Sequence, residues 1–195
     1  MLLRVPISPV QLWAFWTLSL VFFLFLLRAF SRRTSEAGTK RNPHSRFGIL
    51  LQAIGIAIAG LGRPKPTLPP LGLPGLAGTT VVVLLMTGAI ALFATSSSAL
   101  GRNWSIVART RADHELVRSG PYAKVRHPIY LGLLLYLLAL AAALGHWLQL
   151  VLAVPLYLAG TEIRTRIEDR LLEQAFGDRF LEYRKSTPAL LPRLF

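Results

Sequence analysis

The sequence contains no cysteine. Disulfides, thiolate metal sites and cysteine nucleophiles are therefore excluded, while the compartment stays open. Charge is also scarce, acid above all. Only 16% of the residues are charged, and nine Asp and Glu stand against 22 Lys and Arg. A soluble domain usually carries about a quarter charged residues. Apolar side chains take their place, at 53% of the 195 residues, and mean hydropathy is +0.49. Internal repeats are missing. So is a dinucleotide fingerprint: "RPKPTLPPLGLPGLAG" (63–78) is Pro/Gly-rich and reads as a stiff connector, its glycines follow no strand, and no βαβ pattern occurs. The net charge of +13 lies between apolar runs. Anionic headgroups account for it more simply than nucleic acid does.

What is present is a set of five apolar stretches: 10–30, 47–61, 79–100, 129–144 and 147–161. The first is long enough to span a hydrocarbon core of about 30 Å. It is too long for a signal h-region, and arginines follow it where a cleavage site would need small residues. The third ends in small residues suited to close helix packing. Only Gly145 and His146 separate the last two, which predicts a tight helical hairpin turning at the far interface. The fold class expected is all-α: one membrane domain over 1–195, with about five transmembrane helices and a C-terminal amphipathic helix. Nineteen of the 22 Lys and Arg fall in 28–46, in 101–128 and from 162 onward. With five spans, these three segments share one side. The positive-inside rule then puts the N-terminus outside and the C-terminus in the cytoplasm.

The polar residues concentrate at 101–130 and 162–195, the two ends of the hairpin, so the hairpin brings them together. The tail reads as an amphipathic helix, interrupted or bent at Gly177, with Leu172, Phe176 and Phe180 at helical spacing. Arg164 and Glu168 stand at i, i+4, either as an ordinary helix ion pair or as functional groups at the hydrocarbon boundary. In "RHPIY" (126–130), Pro128 suits the first position of a helix. The helix start, with Arg126 and His127 beside it, predicts an anion site. Composition does not choose between a bound ligand and a lipid phosphate. No residue spacing resembles a metal site or a Ser-His-Asp arrangement, and His44 and His146 read as plain loop residues.

The stretches "LGRNWS" (100–105), "HELVRSGPYAKVRHPIYLG" (114–132), Arg164 with Glu168, and "FGDRFLEYRKSTPALLP" (176–192) resemble the isoprenylcysteine carboxyl methyltransferase family. They also resemble its wider relatives, the phospholipid methyltransferases. The resemblance covers the C-terminal half, and the first two spans match only in being apolar. It makes 1–99 three N-terminal spans and 100–195 the catalytic half. It implies an integral membrane enzyme that uses S-adenosylmethionine and releases S-adenosylhomocysteine.

By matching positions, the resemblance implies that the cofactor meets His114, Glu115, Leu116, Val117, Tyr122, His127, Pro128, Ile129, Tyr130 and Glu168. Val107 follows by a looser alignment. Arg164 then holds the substrate, Arg126 supports, and no metal takes part. His127 and the helix start suit the cofactor's carboxylate, Glu168 its ammonium or ribose hydroxyls, and the tyrosines its sulfonium methyl. A substrate carboxylate, with a pKa of about 3.5, is ionised at neutral pH and needs no general base. The expected partners are the bilayer and a lipophilic carboxylate entering from it, with no nucleic acid. Where family members carry an acidic run, this chain reads "RIEDR" (166–170), which touches headgroup preference. Three other readings stand beside this one. They are phospholipid or amine N-methylation on the same fold, an NADPH-dependent sterol-reductase-like enzyme, and a non-enzymatic membrane protein that binds anionic lipid.

Overall fold

The structure, a computed structural model, describes residues 5–31, 40–41, 45–101, 109–110 and 116–190. Its helices are α1 (Pro9–Ser31), α2 (Ser45–Gly60), α3 (Leu73–Leu100), α4 (Pro128–Leu144), α5 (Leu150–Phe176) and α6 (Asp178–Ser186). Two strands of two residues each, β1 (Lys40–Arg41) and β2 (Arg109–Thr110), pair antiparallel.

Local chemistry explains most of the boundaries. The Ser8 hydroxyl accepts the Val10 N–H at 3.2 Å and caps α1. Pro128 opens α4, where its missing N–H costs nothing. Gly145 closes α4 in the left-handed conformation (φ +70°), and a Cβ there would sit 2.2 Å from the Val5 carbonyl oxygen. Gly177, at φ +54°, separates α5 from α6. Two helices differ from expectation. α3 starts six residues early, at Leu73, because Pro74 falls in its first turn and "LPGLAG" is helical instead of a connector. α5 runs without a break from the apolar stretch into the charged one.

Among the described residues, α1 and α3 are long and apolar enough to cross a membrane, and α2 and α4 are shorter apolar helices. Only 22% of the most apolar window of α1 and of α3 is buried inside the protein. The core helix of a soluble protein would be mostly buried. Here Trp13, Leu20, Leu27, Leu84 and Val151 are all more than half exposed. So much bare apolar surface, on helices apolar all round, is suited to lipid and unsuited to water.

The core lies along α4, whose Leu137, Ala139, Ala141 and Ala143 are fully buried. Phe22 joins α1 to both neighbours, with its ring centroid 5.1 Å from Phe93 of α3 and 5.1 Å from Tyr136 of α4. The expectation of a tight hairpin is corrected in one respect. Residues 145–149 do join α4 to α5, and the Tyr157 hydroxyl donates to the Tyr130 carbonyl at 2.7 Å. Along their length, however, α4 packs mainly on α3 and α5 mainly on α2. The reason is glycine: a Cβ on Gly160 of α5 would meet the Gly48 carbonyl oxygen at 2.6 Å, and one on Gly55 the Ala153 oxygen at 2.7 Å. Only bare backbone allows α2 to lie this close.

The two ends of the bundle are distinct. At one end, β1 and β2 tie the loop after α1 to the loop after α3. At the other, the Val5 N–H donates to Gly145, Ile7 exchanges hydrogen bonds with the 65–68 segment, and the hairpin turn closes. The described parts of the basic segments 28–46 and 101–128 therefore share an end, while Arg63 and Lys65 lie at the opposite one.

His146, read from sequence as a plain loop residue, is fully buried. Its Nδ1 lies 3.2 Å from the Ala59 carbonyl oxygen, so it locks the turn onto the end of α2.

Candidate active site

Where α4 begins, α5 has left its apolar stretch, and the two present side chains to each other. His127 is the residue just before α4, and its ring is buried. Its Nε2 lies 3.0 Å from Asp169 Oδ1 and its Nδ1 3.4 Å from Glu168 Oε2. Arg126 Nη2 donates to Asp169 Oδ2 at 3.0 Å. The Tyr130 hydroxyl donates to Glu168 Oε1, and Arg164 Nη2 stands 3.7 Å from that same oxygen. The Arg164 guanidinium also lies over the Tyr130 ring, 4.7 Å from its centroid. Charges thus alternate from Arg126 through Asp169, His127 and Glu168 to Arg164.

The tail closes this row on one side. Arg126 and His127 donate their backbone N–H groups to Pro188 and Ala189, each at 2.9 Å. The Arg126 guanidinium also donates to the Thr187 carbonyl, and the Tyr183 hydroxyl to the Tyr122 carbonyl. Arg126 therefore joins α5 to the tail.

Burial opposes every charge here, and the neighbours decide the outcome. Burial alone would lower the His127 pKa, but its contacts with Asp169 and Glu168 hold it above its ordinary value. Burial would raise both carboxyls, yet the His127 hydrogen bonds and the nearby arginines hold Glu168 and Asp169 below the usual range. Tyr122 is pushed well above its ordinary value by burial, then by the Glu168 charge. Tyr183 is pushed up to about 12, chiefly by burial. At neutral pH the row is ionised carboxylates, arginines and a histidine inclined to keep its proton, between neutral tyrosines.

The sign of the pH dependence follows. The stability tied to the His127 proton is fully present below about pH 6.5 and is lost as pH rises through the raised folded-state value. The carboxylate share is present above about pH 4 and is lost as pH falls. The thermal midpoint in detergent is therefore expected to fall as pH rises above about 6.5, and His127→Gln is expected to flatten that fall. An unchanged slope in the variant would contradict this role for His127.

Most of the residues expected from sequence converge. His127, Tyr130, Arg164 and Glu168 make one network, with Pro128 buried at its base and Tyr122 buried beside it. Leu116 and Val117 are half-buried, and Ile129 is half-buried against the apolar core. His114, Glu115 and Val107 lie outside the described residues. The anion expected at the start of α4 needs revising: both His127 nitrogens face this chain's own carboxylates.

Sequence reasoning missed two participants. Asp169 adjoins Glu168, but its reach to the opposite nitrogen of His127 follows from helix geometry and not from any spacing. Gln52 lies on α2, where Arg164 Nη1 donates to its Oε1 at 2.9 Å. The signal for it was available: it is a buried polar side chain in the apolar run "GILLQAIGIAIAG".

Residues 78–179 match the family model described as phospholipid methyltransferase. The cobalt-zinc-cadmium resistance protein CzcN of Cupriavidus metallidurans is 40% identical over 121 residues, 60% of this chain and 53% of that protein. A protein-S-isoprenylcysteine O-methyltransferase of Schizosaccharomyces pombe is 32% identical over 87 residues, 45% of this chain and 37% of that protein. One of the same name from Saccharomyces cerevisiae is 29% identical over 94 residues, 47% of this chain and 39% of that protein. The matched region thus spans about half, or less, of these relatives.

Proposed function

The chain belongs to the phospholipid methyltransferase family, and from there we propose that it is an integral membrane methyltransferase using S-adenosylmethionine. Its acceptor is the terminal carboxylate of an isoprenylcysteine or a similar lipid-like molecule. The observation that carries this reading is Arg164, a buried guanidinium three residues past the apolar stretch of α5, beside a carboxylate–histidine network. A buried charge at that depth is costly and is kept for a purpose. The similarity to isoprenylcysteine O-methyltransferases supports the same acceptor class.

The donor set suits the cofactor. Glu168, held ionised, accepts from an ammonium or ribose hydroxyls. Tyr122 and Tyr130 offer aromatic faces to a sulfonium. Leu116, Val117, Pro128 and Ile129 supply apolar walls, with His114 and Glu115 adjoining by the family resemblance. His127 acts through Glu168 and Asp169, holding both carboxylates in place. S-adenosylmethionine, when bound, supplies a methyl group already activated for displacement. This chain's residues then orient the acceptor and exclude water from it. Arg164 presents a planar fork to the acceptor carboxylate, which is ionised and needs no base.

Five spans fit the bundle, with the apolar part of α5 as the fifth, and the positive-inside rule puts the active site in the cytoplasm. The family's description brings in an amine acceptor as a second reading. An amine must lose a proton before it can attack, and it gains nothing from Arg164.

The test is to incubate membranes containing the protein with methyl-labelled S-adenosylmethionine. The label is expected in a lipophilic product and is expected to leave as methanol in mild base. A base-stable label would assign an amine acceptor and overturn the carboxylate reading.

A further inference from the structure

We propose that Gln52 of α2 is the positioning residue that sets Arg164 for an anionic acceptor, holding the guanidinium without neutralising it. This rests on the carboxylate reading above and deepens it.

Gln52 is buried in an apolar helix, where an amide is costly unless both its ends are bonded. Both are. Its Nε2 donates to Thr161 Oγ1 at 2.8 Å, and its Oε1 accepts from Arg164 Nη1 at 2.9 Å. The orientation of the amide is not arbitrary. The Thr161 hydroxyl spends its only proton on the Tyr157 carbonyl, at 2.9 Å, so its oxygen is left to accept. Only the NH2 of Gln52 can serve it, and that turns the amide oxygen toward Arg164.

The backbone fixes the same arrangement. A Cβ on Gly48, one turn before Gln52, would come within 2.6 Å of Arg164 Cγ and 2.7 Å of the Gly160 carbonyl oxygen. A Cβ on Gly160 would come within 2.9 Å of the Gln52 backbone nitrogen. The two glycines press α2 onto α5 beside Arg164. A helix that matches the family only in being apolar thereby acquires a role: it is one wall of the acceptor site.

Charge gives Gln52 its meaning. Among the described residues, the acid beside Arg164 is Glu168, which is already engaged by His127 and Tyr130 and stands 3.7 Å away. A second carboxylate at position 52 would cancel the guanidinium. A neutral amide keeps the hydrogen bond and adds no negative charge of its own, which favours an anion over an amine.

The experiment compares wild type, Gln52→Glu and Gln52→Met, purified in detergent. Turnover is read with N-acetyl-S-farnesylcysteine, and S-adenosylhomocysteine affinity is read by calorimetry. In Gln52→Glu, KM for the farnesylcysteine is expected to rise at least about tenfold, with S-adenosylhomocysteine affinity within about twofold of wild type. Gln52→Met keeps the volume and loses the anchor, so kcat is expected to fall at least about tenfold. Variants with KM and kcat both within about twofold of wild type would overturn the proposal. Loss of S-adenosylhomocysteine binding in both variants would overturn it too, making Gln52 a packing residue. A wild type that binds S-adenosylhomocysteine but leaves the farnesylcysteine unmethylated would overturn the carboxylate reading itself, and this inference with it.

Discussion

Replacing Arg164 with alanine is expected to lower kcat/KM for a carboxylate acceptor by about a hundredfold or more, while S-adenosylhomocysteine affinity stays within about twofold. The magnitude comes from what the side chain does. A fork of charge-assisted hydrogen bonds to a desolvated carboxylate is worth about 3–5 kcal/mol, and each 1.4 kcal/mol is about tenfold. The selectivity comes from geometry. Arg164 touches Glu168 only at 3.7 Å, while His127 and the Tyr130 hydroxyl hold that carboxylate independently. Removing the guanidinium leaves Glu168 two partners. Enzyme assay and calorimetry on the same preparation check both halves. A normal rate in Arg164→Ala would refute its role.

His127→Ala is expected to act in the opposite way, losing cofactor affinity by at least about tenfold and stability with it. His127 lies between two carboxylates, with one on each ring nitrogen. Without it, Glu168 and Asp169 face a gap. Asp169 keeps Arg126, but Glu168 loses the partner that fixes its direction. Breaking a buried charge pair by removing one member costs about 3–5 kcal/mol, so the thermal midpoint is expected to drop as well. His127→Gln separates the two effects. Its amide NH2 can still donate to one of the carboxylates, so it is expected to recover part of the affinity and to leave the pH slope flat. Equal affinity in wild type and His127→Ala, by calorimetry, would contradict the assignment.

The parts of this fold legible in the sequence are those set by local chemistry. Pro128 announces the start of α4, Gly145 its end, and Gly177 the break before α6, because each depends on one residue's backbone. The first span was legible from its length alone. What escaped depends on residues far apart in the chain. Pro74 looked like part of a rigid connector, yet in the first turn of a helix it is harmless, so α3 begins at Leu73. The packing partners of α4 and α5 are chosen by Gly48, Gly55 and Gly160, whose close contacts cross between α2 and α5.

The site divides in the same way. Arg164 and Glu168 share an i, i+4 spacing that sequence reveals, and His127 adjoins a helix start. Asp169 and Gln52 are assigned only once α5 is placed against α4 and α2, because their partners are 42 and 112 residues away. His146 looked like a loop residue because nothing local shows that α2 ends against it.

A cofactor pocket where α4 meets α5 is tested most directly by a calorimetric titration of the purified wild-type protein with S-adenosylmethionine. Saturable binding, abolished by S-adenosylhomocysteine in competition and weakened by Glu168→Ala, is the result expected. No binding by the folded wild-type protein would contradict it.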